Sequence, residues 1–336
     1  MSENSANVEN AIRLHYLGPE GTFTHQAAIS AAEALRPLAP AGAEFTLVPE
    51  PDVPAIMAAT RSGDGWGVVA WENNVEGYVV PNLDAMIDAE DVAGFVRVGV
   101  NVAFDAFVKP GTDMSRVHTV SAHPHGLAQC KRFIAEHHLT PVPASSNAAA
   151  CRDLERDEMA FGPAICGKLY WLDTVASNVQ DYQGARTEFL VVAPRREVPG
   201  LLAKARVNGV AEFESILTFI PLHTGPGVLA DLLDVLRDAG LNMTSFISRP
   251  IKGHDGTYSF IATFDAAPWE DRFRAALGEV AEHGDWVKTL AVYPRRERPN
   301  PPVDAWMLPE GGVHLDADAL PDDWQADEIV RKELLW

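Results

Sequence analysis

The stretch HYLGPEGTFTHQAAISAAEAL (His15–Leu35) decides the fold class. Its first residues form a short apolar run, as in a buried strand. Gly18, Pro19 and Gly21 then impose a turn. HQAAISAAEAL follows as an alanine-rich helix, with Thr22 or Thr24 as its N-cap. Strand, glycine turn and helix in that order make half of an α/β unit. The turn also poses a chemical question, because glycine-rich loops cradle phosphate. No Gly-Lys-Ser/Thr follows, which argues against a nucleotide loop. Backbone N–H groups at a helix start also suit a carboxylate, and a plain strand-to-helix turn is the alternative.

Outward from this stretch the pattern repeats. FTLVPE reads as a strand, VPAIMAATRSG as a helix and WGVVAWENN as a buried strand ending in a polar turn. From about residue 96 it restarts. VRVGVNVAFDAFVK and VHTVSAH are strand-like, PHGLAQCKRFIAEHH and SSNAAACRDLERD helical, and TEFLVVAP closes the region as a strand. Short apolar strands alternating with helices predict two α/β lobes, a largely parallel sheet and a cleft at the strand ends. Residues 195–212 read as a linker. SILTFIPL, GPGVLADLLDVLRDAG, LNMTSFISRPI, TYSFIATFDA, PWEDRFRAALGEVAEHG and VKTLAVYP then give the order βαββαβ, a ferredoxin-like α+β domain. The first ten residues are read as disordered. The tail, residues 295–336, is rich in proline and acid, and its Trp306, Trp324 and Trp336 imply that parts of it dock.

Bulk chemistry narrows the classes. The 336 residues suffice for about two domains. A formal net charge of −20 opposes nucleic-acid binding, since a phosphate backbone would be repelled. There is no apolar run of membrane-spanning length and no signal-peptide pattern. The three cysteines, Cys130, Cys151 and Cys166, have no CxxC spacing and fit a reducing compartment. A cytoplasmic protein that contacts neither membrane nor nucleic acid is expected.

With these segments placed, the chain resembles prephenate dehydratases with a C-terminal ACT regulatory domain. Five stretches carry the likeness: LGPEGTFTHQAA, WENNVEG, SAHPHGLAQC, SSNAAA and ARTEFLVVA. In the second region, GPGVLADLLDVLRDAGLNMTSFISRP adds the glycine turn and a Ser-Arg-Pro segment. The resemblance implies a catalytic domain over 12–194, two-lobed and similar to periplasmic binding proteins, with its second lobe at about 88–182. It implies an ACT domain over 213–294. It implies conversion of prephenate to phenylpyruvate, CO2 and water in phenylalanine biosynthesis, with no metal and no cofactor. Phenylalanine would be the effector, in a homodimer or homotetramer joined through the ACT domain.

Site residues carry over one by one. Thr187 is the implied catalytic residue, hydrogen bonding to the ring hydroxyl as it leaves; read without the family it is a β-branched strand residue. Gly18, Pro19, Gly21 and Thr22 are the substrate turn. Asn73 and Asn74 offer amides, or form a turn. Ser145, Ser146 and Asn147 open a helix, as anion ligands or plain caps. Glu188 and Phe189 adjoin Thr187 in the substrate-binding set. Gln129 and Cys130 read as structural, and His123 as fixing its loop. In the ACT region the effector positions are Gly225, Gly227, Val228, Leu229, Asn242, Met243 and Arg249.

The chain departs from the family pattern at three cleft positions. Glu188 replaces an arginine, Asn74 a serine and His125 a glutamine; in the ACT region Ile247 replaces a glutamate. The Glu188 change reverses a charge near the site of a dianionic substrate. Residues i and i+2 share a strand face, so Arg186 either replaces the lost cation or pairs with Glu188. The change leaves open a rewired dehydratase, an arogenate dehydratase, a prephenate decarboxylase, or a non-catalytic amino-acid sensor.

Overall fold

The computed structural model describes residues 11–223, 225–254, 256–295, 303–315 and 323–335. The ten N-terminal residues expected to be disordered lie outside them. Residues up to Arg296 form one compact unit and Glu297–Trp336 a second.

The first lobe begins with β1 (Ala11–Leu17), α1 (Phe23–Leu35), β2 (Glu44–Glu50), α2 (Val53–Ser62) and β3 (Trp66–Asn73). It continues through β4 (Gly77–Tyr78), α3 (Val80–Asp88) and β5 (Val92–Asn101). Caps set the helix starts. Thr22 accepts from the His25 amide, and Asp52 accepts from the Ala55 amide at the start of α2.

The second lobe follows as β6 (Asp105–Val108), β7 (Thr119–Ala122), α4 (Pro124–Gln129), α5 (Lys131–Glu136) and β8 (Thr140–Pro143). It is completed by α6 (Asn147–Arg152), β9 (Met159–Gly162), α7 (Ile165–Leu169) and β10 (Asp173–Ala176). Its sheet runs β10-β6-β9-β7-β8. The segment read as one helix over 124–138 is broken at Cys130, where α4 ends and α5 starts. β11 (Arg186–Pro194) then returns to the first lobe and lies between β5 and β3.

The sheet is less parallel than expected. β1 pairs in parallel with β2 and β3, but β11 is antiparallel to both its neighbours. The chain reaches β11 from the second lobe, at the end where β5 left, and so runs back against β5. Along β11, Phe189 and Val191 pack into the core under α1, while Leu190 and Val192 pack into the one that Ile56 and Met57 of α2 share. Strand alternation thus decides which face each residue serves.

Residues 195–212 are not a linker. They hold α8 (Val198–Val207), whose Val198, Leu202 and Ala205 are buried in the first core. Burial of these apolar residues stabilises the helix where its sequence read as irregular. β12 (Phe213–Ile220), α9 (Val228–Asp238), β13 (Met243–Pro250), β14 (Tyr258–Phe264), α10 (Asp271–Glu282) and β15 (Trp286–Pro294) complete the expected βαββαβ order. Their sheet, β13-β14-β12-β15, joins the first lobe through a parallel bridge between Ala291 and Gly94. One sheet therefore crosses what the sequence divided into two domains.

In the C-terminal unit, α11 (Glu328–Leu334) is capped by Asp327, and Glu333 accepts from the Gly312 amide at 3.0 Å. Trp306 is exposed, and Trp336 lies outside the described residues.

Candidate active site

The carboxyl ends of β1, β3 and β5 and the amino end of β11 lie at one end of the first sheet. The second lobe, inserted between β5 and β11, emerges there. Strand ends of this kind form ligand clefts in α/β folds.

Thr187, the second residue of β11, pairs across the sheet with Asn73, the last residue of β3. Asn73 Nδ2 donates to Thr187 Oγ1 at 3.0 Å. The Asn73 carbonyl oxygen accepts from the Val75 and Glu76 amides at 2.9 and 3.0 Å. Those two backbone donors fix which end of the amide carries the oxygen. The NH2 group must therefore face Thr187. A hydroxyl that accepts from Asn73 keeps its own hydrogen for another acceptor.

The Gly18–Gly21 turn follows β1, and its Gly18–Pro19 peptide is cis. Gly18 N donates to Glu50 O at 2.9 Å, and Gly21 N donates to His25 Nδ1 at 3.0 Å. Thr22 donates to Pro19 O and accepts from His25 N. The glycine amides and the Thr22 hydroxyl, expected as substrate ligands, are thus spent on the turn itself. Helix geometry leaves the first-turn amides of Phe23 and Thr24 as donors pointing out of α1. His25 was not singled out in the sequence, although it lies one helical turn beyond Gly21. It stacks on Tyr16 at 5.1 Å, and burial holds its pKa below the usual histidine value against the pull of Glu20.

The second lobe reaches this turn. Tyr170 donates to Glu20 O at 2.7 Å, Cys166 Sγ donates to Gly21 O at 3.2 Å, and Phe23 meets Phe104 edge-on at 5.3 Å. Gly21 has a φ of 85°, and a Cβ there would lie 3.0 Å from the Tyr170 oxygen. A glycine is needed on both counts. Burial, then Cys166, pushes the Tyr170 phenol up to about 12, so it remains a donor at neutral pH. Neither Tyr170 nor Cys166 had a local signal, since only the tertiary fold brings them to residues 20–21.

Two motifs of the second lobe meet at Asn147, whose oxygen accepts from the His123 amide at 2.9 Å. Ser146 caps α6 through the Ala149 amide, while Ser145 is exposed. His123 caps α4 by accepting from the His125 amide, and its pKa is lowered by burial and then by His125. Gln129 donates to Glu76 at 3.3 Å, near the Asn73 turn. Cys130 is buried at the break between α4 and α5, and burial raises its thiol to about 12. All three cysteines are free and buried.

Three residues expected to bind substrate are committed elsewhere. Asn74 donates to Gly184 O and accepts from the Arg186 amide, so it clips the β3 turn to the start of β11. Phe189 is 2% exposed and belongs to the core. Glu188 lies on the face of β11 opposite Thr187. It accepts from Arg186 Nε at 2.6 Å and from Arg97 Nε at 3.0 Å. Strand alternation puts Arg186 and Glu188 on one face, and of the two alternatives it left open the structure shows the pair; Arg97 is the partner that the sequence did not reveal. Arg97 also reaches Glu214 at 3.5 Å and lies 5.8 Å from the Tyr293 ring centroid. Burial works against the Arg97 cation, but Tyr293 and Glu188 more than compensate, and its pKa is raised. On this face Glu72 is pushed up by burial, an effect Arg97 opposes and Glu188 reinforces.

In the α+β region, Gly227 caps α9 in the left-handed conformation, with Gly225 two residues before it and Val228 and Leu229 half-buried after it. Asn242 donates to Asp265 at 2.9 Å and Met243 is exposed at the start of β13. Arg249 does not join them. Both its Nε and Nη2 contact the Asp84 carboxylate on α3 at 3.2 Å. Tyr78 and Ser245 form a further hydrogen bond across the same seam.

The fold and cleft define a two-lobed α/β enzyme joined to an α+β region. The prephenate dehydratase model matches residues 14–197, more than half the chain. A prephenate dehydratase from Mycolicibacterium gilvum is 33% identical over 306 residues, covering 87% of this chain and 96% of its own. One from Mycolicibacterium vanbaalenii is 34% identical over 259 residues, covering 74% and 80%. Among solved structures, the Arthrobacter aurescens prephenate dehydratase in complex with L-Phe superposes with a TM-score of 0.69 at 25% identity, covering 86% and 92%. The chain belongs to the prephenate dehydratase family. It is an enzyme of the carbon–oxygen lyase class.

Proposed function

We propose that this chain converts prephenate to phenylpyruvate, CO2 and water, with Thr187 as the donor to the departing ring hydroxyl. The Asn73 to Thr187 hydrogen bond carries the reading. Loss of CO2 sends an electron pair into the ring, and the hydroxyl leaves as the ring becomes aromatic. The leaving oxygen gains negative charge, and a donor already aimed at it stabilises the transition state. By holding Thr187 Oγ1 as an acceptor, Asn73 frees that hydroxyl hydrogen for the leaving group. One proton is consumed overall and is replaced from water. The Phe23 and Thr24 amides, at the positive end of α1, hold a substrate carboxylate. Phe23 and Phe104 exclude water beside them.

The opposite facing of Glu188 favours prephenate over arogenate, because its carboxylate is neutralised by two arginines and is turned from Thr187. The βαββαβ region is a regulatory ACT domain. It binds phenylalanine near Gly225–Leu229, Asn242 and Met243, and joins chains into a homodimer or homotetramer. The L-Phe complex of the Arthrobacter relative supports the effector. The enzyme works in the cytoplasm.

Incubation of purified protein with prephenate, followed by product identification, tests the reading. Phenylpyruvate supports it. A non-aromatic C9 keto acid means decarboxylation alone. Conversion of arogenate to phenylalanine without turnover of prephenate overturns the substrate assignment.

A further inference from the structure

We infer that Arg97 is a positioning residue for the reaction. It holds the Glu188–Arg186 pair that seats the amino end of β11, and through that seat it fixes the Thr187 hydroxyl. The inference rests on the role proposed for Thr187.

Three observations lead to it. First, the backbone ladder is interrupted beside the site. Thr187 and Glu188 pair with Asn73 and Glu72, but Phe189 pairs with Ala70, so Trp71 is left over as a bulge. A bulge loosens and twists the strand pair where it occurs. The Thr187–Asn73 pair therefore lies beyond the break, where Asn74 clips the β3 turn to β11 and the β5 ladder continues through Arg186, Thr187 and Glu188. Second, a side-chain tie to β5 reinforces this end of the strand from the face of β11 opposite Thr187. Glu188 is 13% exposed and receives Arg186 at 2.6 Å through one oxygen and Arg97 at 3.0 Å through the other. Arg186 reaches this position because residue 99 is glycine; a Cβ there would lie 2.3 Å from its Nε. Third, Arg97 is itself fixed from the side of β5 away from β11. Glu214 of β12 lies at 3.5 Å, and the fully buried Tyr293 of β15 is under its guanidinium. Arg97 thus bridges β11 to the α+β region as a rigid fork, a geometry that an ammonium cannot reproduce.

The inference also explains the departure at residue 188. An arginine there would put a third cation beside Arg97 and Arg186, in place of the carboxylate that both now contact. A carboxylate completes the pair instead. The sign of residue 188 is therefore matched to Arg97 and not to the substrate.

The test uses the full chain with prephenate. Arg97→Ala should lower kcat at least tenfold, with KM within about twofold and a cooperative thermal transition retained. Added guanidinium at millimolar concentration should restore part of kcat to Arg97→Ala and none to Thr187→Val. Arg97→Lys, which can serve Glu188 or Glu214 but not both, should fall between wild type and Arg97→Ala. Glu188→Gln should lower kcat in the same direction, and the Arg97→Ala/Glu188→Gln double variant should be no slower than the slower single one. A folded Arg97→Ala with wild-type kcat overturns the inference alone, as do losses that multiply in the double variant. If Thr187→Val keeps wild-type kcat, the role of Thr187 falls first, and this inference falls with it.

Discussion

Replacing Asn73 by aspartate tests the Thr187 assignment with almost no change of shape. The aspartate keeps an oxygen for the Val75 and Glu76 amides, which now lie at 2.9 and 3.0 Å. Its second oxygen takes the place of Nδ2, 3.0 Å from Thr187 Oγ1. The donor becomes an acceptor, so the Thr187 hydroxyl turns to donate to the carboxylate. A hydrogen bond to a charged group contributes about 1.5–3 kcal/mol. That bond must break before Thr187 can serve the leaving group. Since 1.4 kcal/mol is roughly a factor of ten, kcat should fall about 10- to 150-fold. Thr187→Val removes the donor outright and should cost about 10²–10³ in kcat, the usual loss for one transition-state donor. Because the two residues act as a unit, the double variant should be no slower than Thr187→Val alone. Initial rates of phenylpyruvate formation give kcat and KM for all four proteins. Repulsion of the dianionic substrate by the new carboxylate would appear in KM, and misdirection of the hydroxyl in kcat. An Asn73→Asp enzyme with kcat within twofold of wild type would refute the reasoning, as would losses that multiply in the double variant.

His25 accepts the Gly21 amide only when its Nδ1 is unprotonated. Burial holds its pKa below 6.5, so the unfolded chain takes up the proton first, and stability drains away as pH falls below that value. His25→Asn retains an acceptor at the Nδ1 position, and thermal melts from pH 7 to 5 should show less acid destabilisation in the variant. Glu72 has the opposite sign. Burial raises its carboxyl above 4.5, so its contribution to stability is present at low pH and is lost as pH rises through the folded value. Glu72→Gln should therefore raise Tm at pH 7–8, with the gain shrinking towards pH 4; equal gains at both ends would count against a buried, ionised Glu72. Tyr170→Phe removes the 2.7 Å bond to Glu20 O between the lobes. A net loss of about 0.5–1.5 kcal/mol predicts a kcat/KM roughly two- to tenfold lower. Unchanged kinetics would mean that this contact does not help to hold the cleft closed.

Much of the molecule could be read from the chain alone. The His15–Leu35 strand, turn and helix, a threonine cap at Thr22 or Thr24 and the βαββαβ order all follow from local chemistry. A cap, a glycine turn and an apolar period act over a few residues and leave a local trace. Strand alternation put Arg186 and Glu188 on one face, and the structure decided that they pair. Other features depended on partners far along the chain. α8 looked irregular, and it is helical because Val198, Leu202 and Ala205 are buried in a core supplied by α1, β5 and β11. The seemingly separate second domain shares one sheet with the first lobe, because Ala291 pairs with Gly94.

The site divides in the same way. Sequence marked Thr187 and Asn73, but not the direction of the hydrogen bond between them; two amides of the following turn decide that. It marked the Gly18–Thr22 turn, but not that His25 and Glu50 consume its glycine amides. It marked Glu188 as the chief departure from the family pattern and read it against the substrate. Only the tertiary structure put Arg97 beside that carboxylate and turned it from Thr187. The physical reason is range. Caps and strand alternation are set by neighbouring residues, whereas the partner of a half-buried charge is whichever group the packed sheet brings within about 3 Å, and sequence separation places no limit on that choice.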